Sequence, residues 1–302
     1  MSSQVVGLGQ CAIDYLGIVD KYPAVDTKKR LMQFVIQGGG PVATALVALS
    51  RWGVSTSFIG KISDDYFGKF ITQSLLSEGV DISGLVVEPG KFSQFAFIAV
   101  EEGTGHRNIF WTRGDTTPLQ EKEINWCLIQ QAHILHLDGL LIEASLAAAY
   151  YARKKGIPIV LDAGSLNDGM LELAGLTDYL ITSEKFAQQY LGEDNPYEAV
   201  QKMYDELRPR VACTTMGKKG SVSLTAEGLF CQPAYDIAVK DTTGAGDVFH
   251  GGFIYGVLQD WDIRQIIKFA TAAAGLKCRV IGGRAGIPGL GEIHELIHKK
   301  IS

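Results

Sequence analysis

Neither a disulfide framework nor a zinc site is encoded in this 302-residue chain: its five cysteines, Cys11, Cys127, Cys213, Cys231 and Cys278, are odd in number, far apart and never paired as C-x-x-C. They read as buried thiols in a reducing compartment. No apolar stretch approaches the roughly 18 residues a spanning helix requires, and residues 1–6 lack a basic leader before an apolar run begins. A cytoplasmic protein is expected. Positive charge is not in excess either. Lys and Arg number 28 against 33 Asp and Glu, a formal charge of −5, which offers no field for phosphodiester backbones or anionic lipid. Nucleic acid and membrane are therefore not expected as partners, and an anionic substrate needs a local basic site. The phosphate loop G-x-x-x-x-G-K-[ST] is missing as well, because none of the Gly-Lys pairs at Gly60, Gly68, Gly90 and Gly217 is followed by Ser or Thr. P-loop NTPases are excluded.

What is present is ordinary for an ordered soluble protein: 46% hydrophobic and 20% charged side chains. Short apolar or β-branched runs at 5–9, 56–60, 132–137, 158–161, 179–182 and 211–215 alternate with helical patterns such as 41–51, 145–155 and 199–207. This alternation predicts a three-layer α/β fold, a mostly parallel sheet with helices on both faces; the length allows two domains, and one large core over 1–302 with an appendage fits as well. Two segments break the rhythm. Residues 12–37 and 90–113 carry consecutive strand patterns, with a turn at 102–105, and read as a small β-sheet attached to the core, a lid. Two further helices are expected at 245–258 and 263–276, then a glycine-rich turn over 282–291 and a closing helix.

The densest chemical signal is Asp241-Thr242-Thr243-Gly244-Ala245-Gly246-Asp247, small residues leading into an apolar helix. Gly244, Ala245 and Gly246 let backbone N–H groups approach a ligand at the positive end of a helix dipole, which makes an anion pocket. Asp247 falls in the first turn, where a carboxylate beside bound phosphate is repelled unless it meets the hydroxyl that attacks that phosphate. Equally, Asp247 can complement the dipole and the glycines can serve a tight turn. Gly38-Gly39-Gly40-Pro41, with Thr44 one turn on, permits close approach of a polar substrate or marks a plain loop-to-helix junction. Thr215-Met216-Gly217-Lys218-Lys219-Gly220 is a strand end that holds a nucleotide or a hairpin turn. A rival is Gly7-Leu8-Gly9-Gln10-Cys11-Ala12, the G-x-G-x-x-A fingerprint of NAD-dependent oxidoreductases, although Asp14, Gly17 and Pro23 stand where its helix should come next. His294 with His298 and His133 with His136 read as surface and core histidines rather than metal ligands.

Together the glycines at 38–40, the Thr215-x-Gly217 turn and the 241–247 motif resemble, in order and over nearly the whole chain, the PfkB-type, ribokinase-like family of sugar and nucleoside kinases. The resemblance implies transfer of the γ-phosphoryl group of ATP, with Mg²⁺, to a sugar hydroxyl. Asp247 would be the general base, and Gly244, Ala245 and Gly246 the anion hole. It also implies sugar contacts from Asp14, Gly39, Gly40, Thr44 and Asp138, and nucleotide contacts from Ser183, Glu184, Thr215, Gly217, Gly220, Gly244 and Gly246. Two positions depart from the pattern: Thr44 replaces a frequent Asn, and Ser183-Glu184-Lys185-Phe186 replaces N-x-x-E, leaving Glu184 as the carboxylate for that role. A potassium site would draw on Asp241, Thr243, Val280, Gly282 and Gly286. Residues 38–41, 247–251 and 283–288 look most like the branch containing sulfofructose kinases, which suggests a ketose-like or acid-bearing sugar. Asp138-Gly139-Leu140 lacks the arginine of that branch and favours a neutral one, while Lys28, Arg107 and Arg113 are lid cations available to an anionic tail. A nucleoside kinase, its base stacked on Phe97 or Trp111, is the alternative within the same fold. Exposed lid edges suggest a homodimer.

Overall fold

The computed structural model describes residues 3–103 and 106–299. Met1, Ser2, and Thr104 and Gly105 of the expected lid turn lie outside the described residues. A nine-stranded sheet runs, in spatial order, Gly228–Gln232, Ser221–Thr225, Val211–Thr215, Tyr179–Ser183, Ile159–Ala163, Ile134–Leu137, Val5–Leu8, Thr56–Ser63 and Asp81–Glu88. From Val211–Thr215 onward all neighbours are parallel; the first two strands form an antiparallel extension. Strands covered on both faces must be apolar on both faces, and Val5–Leu8, Thr56–Ser63 and Ile134–Leu137 are buried at every position.

One face packs against the helices Pro41–Arg51, Ala245–Leu258 and Ile263–Lys277. The other packs against Ile142–Lys155, Glu184–Leu191 and Pro196–Leu207. Trp52, at the end of the first of these helices, donates its indole N–H to the Pro288 carbonyl at 2.8 Å and lies edge-on to Tyr255 and Phe269. That contact ties the carboxyl-terminal loop to the core.

The helical and strand segments fall where the alternation placed them, with boundaries moved by a few residues: Ile142–Lys155 begins earlier than expected, and Ile134–Leu137 later. Strands Asp81–Glu88, Ser221–Thr225 and Gly228–Gln232 had no separate signal. The first is a half-exposed edge, and the other two continue a hairpin from the turn at 217–219. Hence the turn after Val211–Thr215 is indeed a hairpin. A second sheet, in the order Gln33–Gly39, Ala12–Val19, Phe95–Glu101, Arg107–Thr112, is built from the two segments that broke the alternation. Its middle pair is parallel and the outer pairs are antiparallel. Two cysteines depart from expectation, since Cys127 and Cys231 are exposed; Cys11, Cys213 and Cys278 are buried, and all five are free thiols.

Gly252 sets the distance between the two helices beneath the site. A Cβ there would stand 2.8 Å from the Ala270 Cα, too close without separating Ala245–Leu258 from Ile263–Lys277. Gly252→Val is expected to destabilise the protein by about 1–3 kcal/mol, as overpacking does, read as a lower denaturant midpoint. An unchanged midpoint would contradict this packing.

Candidate active site

Parallel strands deliver the residues at their carboxyl ends to one edge of the sheet, and here that edge collects Gln10, Asp138, Asp162, Ser183 and Thr215. Above it begins the helix Ala245–Leu258, entered through Gly244 in the left-handed conformation at φ 75°. Gly244 lies against Gly283, whose Cα a side chain would meet at 2.7 Å, whereas Gly246 faces open space. The first intrahelical bond runs from Val248 N–H to the Gly244 carbonyl, and Ala245 N–H is engaged by the Thr242 carbonyl. The N–H groups of Gly246 and Asp247 precede that ladder, so they are the donors a phosphoryl oxygen would meet.

Asp247 is half-buried in the first turn of this helix. Burial pushes its carboxyl up to about 8, and the nearby Asp162 and Asp14 charges push the same way against His250 and Lys277. Asp162, raised to about 7 by burial, lies 3.5 Å from His250 Nδ1, which also approaches the Gly246 carbonyl at 2.7 Å. His250 in turn stacks on the buried His136, their ring centroids 5.7 Å apart. This acid and imidazole layer sits directly under the anion pocket.

Among the residues expected to contact sugar, the three glycines have three separate reasons. A side chain at Gly38 would strike the Arg284 guanidinium, and one at Gly39 the Asp14 carboxylate; Gly40, at φ 98°, lies against the Gln10 carbonyl. Asp14 is thus held beside Gly39, its carboxyl raised to about 6 by burial and pulled down by Arg284. Asp138 accepts the N–H groups of Gln10 at 2.8 Å and Leu140 at 2.9 Å, yet burial lifts it to about 7. Thr44 turns toward Arg284, accepting from its Nε at 3.3 Å; the same guanidinium donates to Ser74 and to the Gly39 carbonyl. Next to Asp138 opens a cavity of about 280 Å³, lined among others by Gln10, Gln94, Lys61, Arg113 and Leu140. Gln10 donates its side-chain amide to Gln94 there.

The nucleotide candidates also converge. Ser183 and Thr215 are register partners on adjacent strands, and Ser183 caps the next helix by accepting Phe186 N–H. Glu184 pairs with Lys219 at 3.1 Å, joining that cap to the 217–219 turn. Gly217 faces open space, while Gly220 lies tight against the Gln232 carbonyl. Gly220 therefore shapes the turn. From the small sheet, Arg107 donates to the Thr242 hydroxyl, so this sheet reaches the start of the helix Ala245–Leu258.

The residues expected for a cation site lie near one another, and a lysine ammonium reaches one of their carbonyls. Asp241 accepts Thr243 N–H at 2.9 Å, the Thr243 hydroxyl at 2.7 Å and Gly282 N–H at 2.7 Å. Its main-chain carbonyl accepts the wholly buried Lys277 Nζ at 2.9 Å. Gly286 is pressed against the Lys277 carbonyl, and Val280 N–H donates to the same carbonyl at 3.4 Å. A potassium ion on the Asp241 carbonyl would stand beside this ammonium, and two like charges about 4 Å apart repel by roughly 4 kcal/mol at an effective dielectric of 20. The oxygen set does not fit a second cation.

The fingerprint glycines receive a different explanation. Gly7 makes room for Val42 and Leu46 of the first helix, and Gly9 for the Asp138 carboxylate. The next element along the chain is the strand Ala12–Val19 and not a helix, so the dinucleotide reading is set aside.

A three-layer sheet bearing a carboxylate at a glycine-opened helix start, acidic groups beside it and a β-sheet over the cleft defines a sugar kinase, a phosphotransferase with an alcohol acceptor. The chain belongs to the pfkB family of carbohydrate kinases, whose profile matches residues 2–289. It is 26% identical to the 5-dehydro-2-deoxygluconokinase of Geobacillus kaustophilus over 97% of this chain and 93% of that protein. Likewise it is 27% identical to Bacillus subtilis ribokinase, over 96% and 98% of the two chains. A solved Agrobacterium tumefaciens structure provisionally assigned as a ribokinase superposes with a TM-score of 0.92 at 25% identity, covering 98% of each chain.

Sequence reasoning missed Asp162, His250, Lys277, Gln10 and Arg284. Asp162 sits near the end of a parallel strand and His250 three residues after Asp247, positions that motif spacing alone does not single out. The buried acids have a consequence for stability. Unfolded, these carboxyls titrate near 3.8; folded, Asp138 and Asp162 hold protons to about 7 and Asp247 to about 8. The folded state thus binds more protons, and stability is lost as pH rises through the folded values. His136 and His250, held toward the neutral form by burial, oppose this only while the unfolded histidines are still losing protons, a contribution that fades above about pH 7. The ligand-free melting temperature is expected to fall from about pH 7 to about pH 8.5, and Asp247→Asn to flatten the fall. A wild-type midpoint rising over that interval would contradict it.

Proposed function

We propose that Asp247 is the general base of an ATP-dependent sugar kinase, taking the proton of a sugar hydroxyl as that oxygen attacks the γ-phosphorus of ATP. The observation that carries this reading is the pairing of a desolvated carboxylate with uncommitted N–H groups of the same helix start. The amides of Gly246 and Asp247 would meet charge developing on the transferred group. Asp14 and Asp138, both buried acceptors beside glycine-cleared space, would bind sugar hydroxyls, and Gly39 and Gly40 give the sugar access to backbone. Ser183, Thr215 and Gly217 line the nucleotide edge.

Among the described residues no three His, Cys, Asp or Glu side chains gather to hold a metal. Mg²⁺ would be carried on the nucleotide phosphates with water and one or two carboxylates, for which Glu184 and Asp162 are the candidates. Bound there, Mg²⁺ would neutralise charge on the β- and γ-phosphates.

The cavity beside Asp138 supports a sugar over a nucleoside: none of its lining side chains is aromatic, and Phe97 and Trp111 belong to the lid elsewhere. Its amides and Arg113 suit a hydroxylated chain, in keeping with relatives named for a ketose-like sugar acid and for ribose. The lid contact of Arg107 with Thr242 supports closure over the phosphates, which would exclude water from them. Lid strand Arg107–Thr112 is exposed throughout, with Ile109, Phe110 and Trp111 open to solvent, and we read this edge as the homodimer surface. No helix among the described residues is long and apolar enough to cross a membrane.

Asp247→Asn is expected to lower sugar-dependent ADP formation by at least ~10²-fold while sugar binding by calorimetry persists. Turnover near the wild-type rate would reject the assignment. Asp14→Ala and Asp138→Ala are expected to raise KM for the sugar far more than KM for ATP, measured by initial rates with each substrate varied.

A further inference from the structure

We propose that the ammonium of Lys277 is the built-in monovalent cation of the active-site loop, so that this protein works without dissolved potassium. Lys277 is the last residue of the helix Ile263–Lys277 and is wholly buried, an uncommon state for a lysine unless its charge is answered. Its Nζ donates to the Asp241 carbonyl at 2.9 Å. The residues that a potassium shell would draw on are tied to this lysine through its two ends: Asp241, whose carboxylate is clamped to Thr243 and Gly282, takes the ammonium on its main-chain carbonyl, while Gly286 and Val280 meet the main-chain carbonyl of Lys277. A mobile cation in such a loop would hold the segment before Gly244 to the 280–286 turn and place positive charge behind the anion pocket. The tethered ammonium does both. It fixes Asp241 from below, and its charge is felt at Asp247. Being covalently attached, it cannot diffuse away and does not depend on salt composition; burial favours loss of its proton, and the charges of Asp241 and Asp247 oppose that loss.

The kinetic part of the test rests on the kinase reading; the stability part does not. Turnover and melting temperature are measured at constant ionic strength in potassium, sodium and tetramethylammonium chloride, for wild type and for Lys277→Met, which keeps the length of the stem and removes the charge. Wild-type turnover is expected to agree within about twofold across the three salts, and its melting temperature to show no gain specific to potassium. In tetramethylammonium, Lys277→Met should lose roughly 10²-fold in kcat, the scale of removing one electrostatic contact to the transition state. Potassium or ammonium should restore part of that loss and raise the variant's melting temperature.

A severalfold potassium stimulation of the wild type would overturn the proposal, as would a Lys277→Met protein running at the wild-type rate in tetramethylammonium. Should Lys277→Met not fold, the wild-type salt series alone decides. Should the kinase reading fail, with Asp247→Asn fully active, the melting temperatures still decide: a wild-type midpoint raised specifically by potassium would overturn the role of Lys277, and one indifferent to it would uphold that role.

Discussion

A carboxylate kept from water at the positive end of a helix is the constraint on which the site depends. Asp247 could be stabilised there as an anion by the dipole alone, but burial and the charges of Asp162 and Asp14 oppose ionisation. The result is a carboxyl whose anion is poorly solvated and which therefore takes up a proton more readily than an exposed aspartate. Such a group destabilises the fold, and perturbed carboxyls of this kind are common at catalytic centres. Its surroundings are arranged to keep it in place: Gly244 starts the helix in the left-handed region, Gly252 lets the next helix approach, and His250 fills the space beneath.

The same close fitting of side chains runs through the sugar edge. Gly9 and Gly39 each leave room for a carboxylate, Asp138 and Asp14, that another strand or turn presents. Gly38 leaves room for Arg284, whose guanidinium bonds Thr44, Ser74 and the Gly39 carbonyl and thereby links the first helix, the lid strand Gln33–Gly39 and the carboxyl-terminal loop. Glycine backbone and buried charge are thus fitted to each other rather than merely adjacent. The small sheet enters this network twice, through Gly39 at Arg284 and through Arg107 at Thr242.

Much of this was legible in the sequence because parallel strands buried on both faces leave unbroken apolar runs, and because the 241–247 motif joins glycines to a helix start that only a few chemistries need. The sheet edges were not legible. Asp81–Glu88 alternates too weakly to stand out, since half of it meets solvent, and the hairpin strands after Gly220 carry the ambiguous signal of any short turn. The Gly7-x-Gly9 fingerprint misled for a physical reason: glycine is required there by Val42, Leu46 and Asp138, contacts that come from far along the chain. Lys277 was hidden in the same way. Its burial arises from how the helix end meets Asp241, which no local pattern encodes.

The central claim is geometric, that Asp247 faces the acceptor hydroxyl at the mouth of the anion pocket. A structure of the protein with a turned-over sugar and a non-hydrolysable ATP analogue tests it most directly. The account predicts one sugar hydroxyl within about 3 Å of an Asp247 oxygen and aligned with the γ-phosphorus, whose oxygens meet the N–H groups of Gly246 and Asp247. A sugar bound with its reacting hydroxyl nearer another base, or a γ-phosphate held away from that helix start, would contradict it.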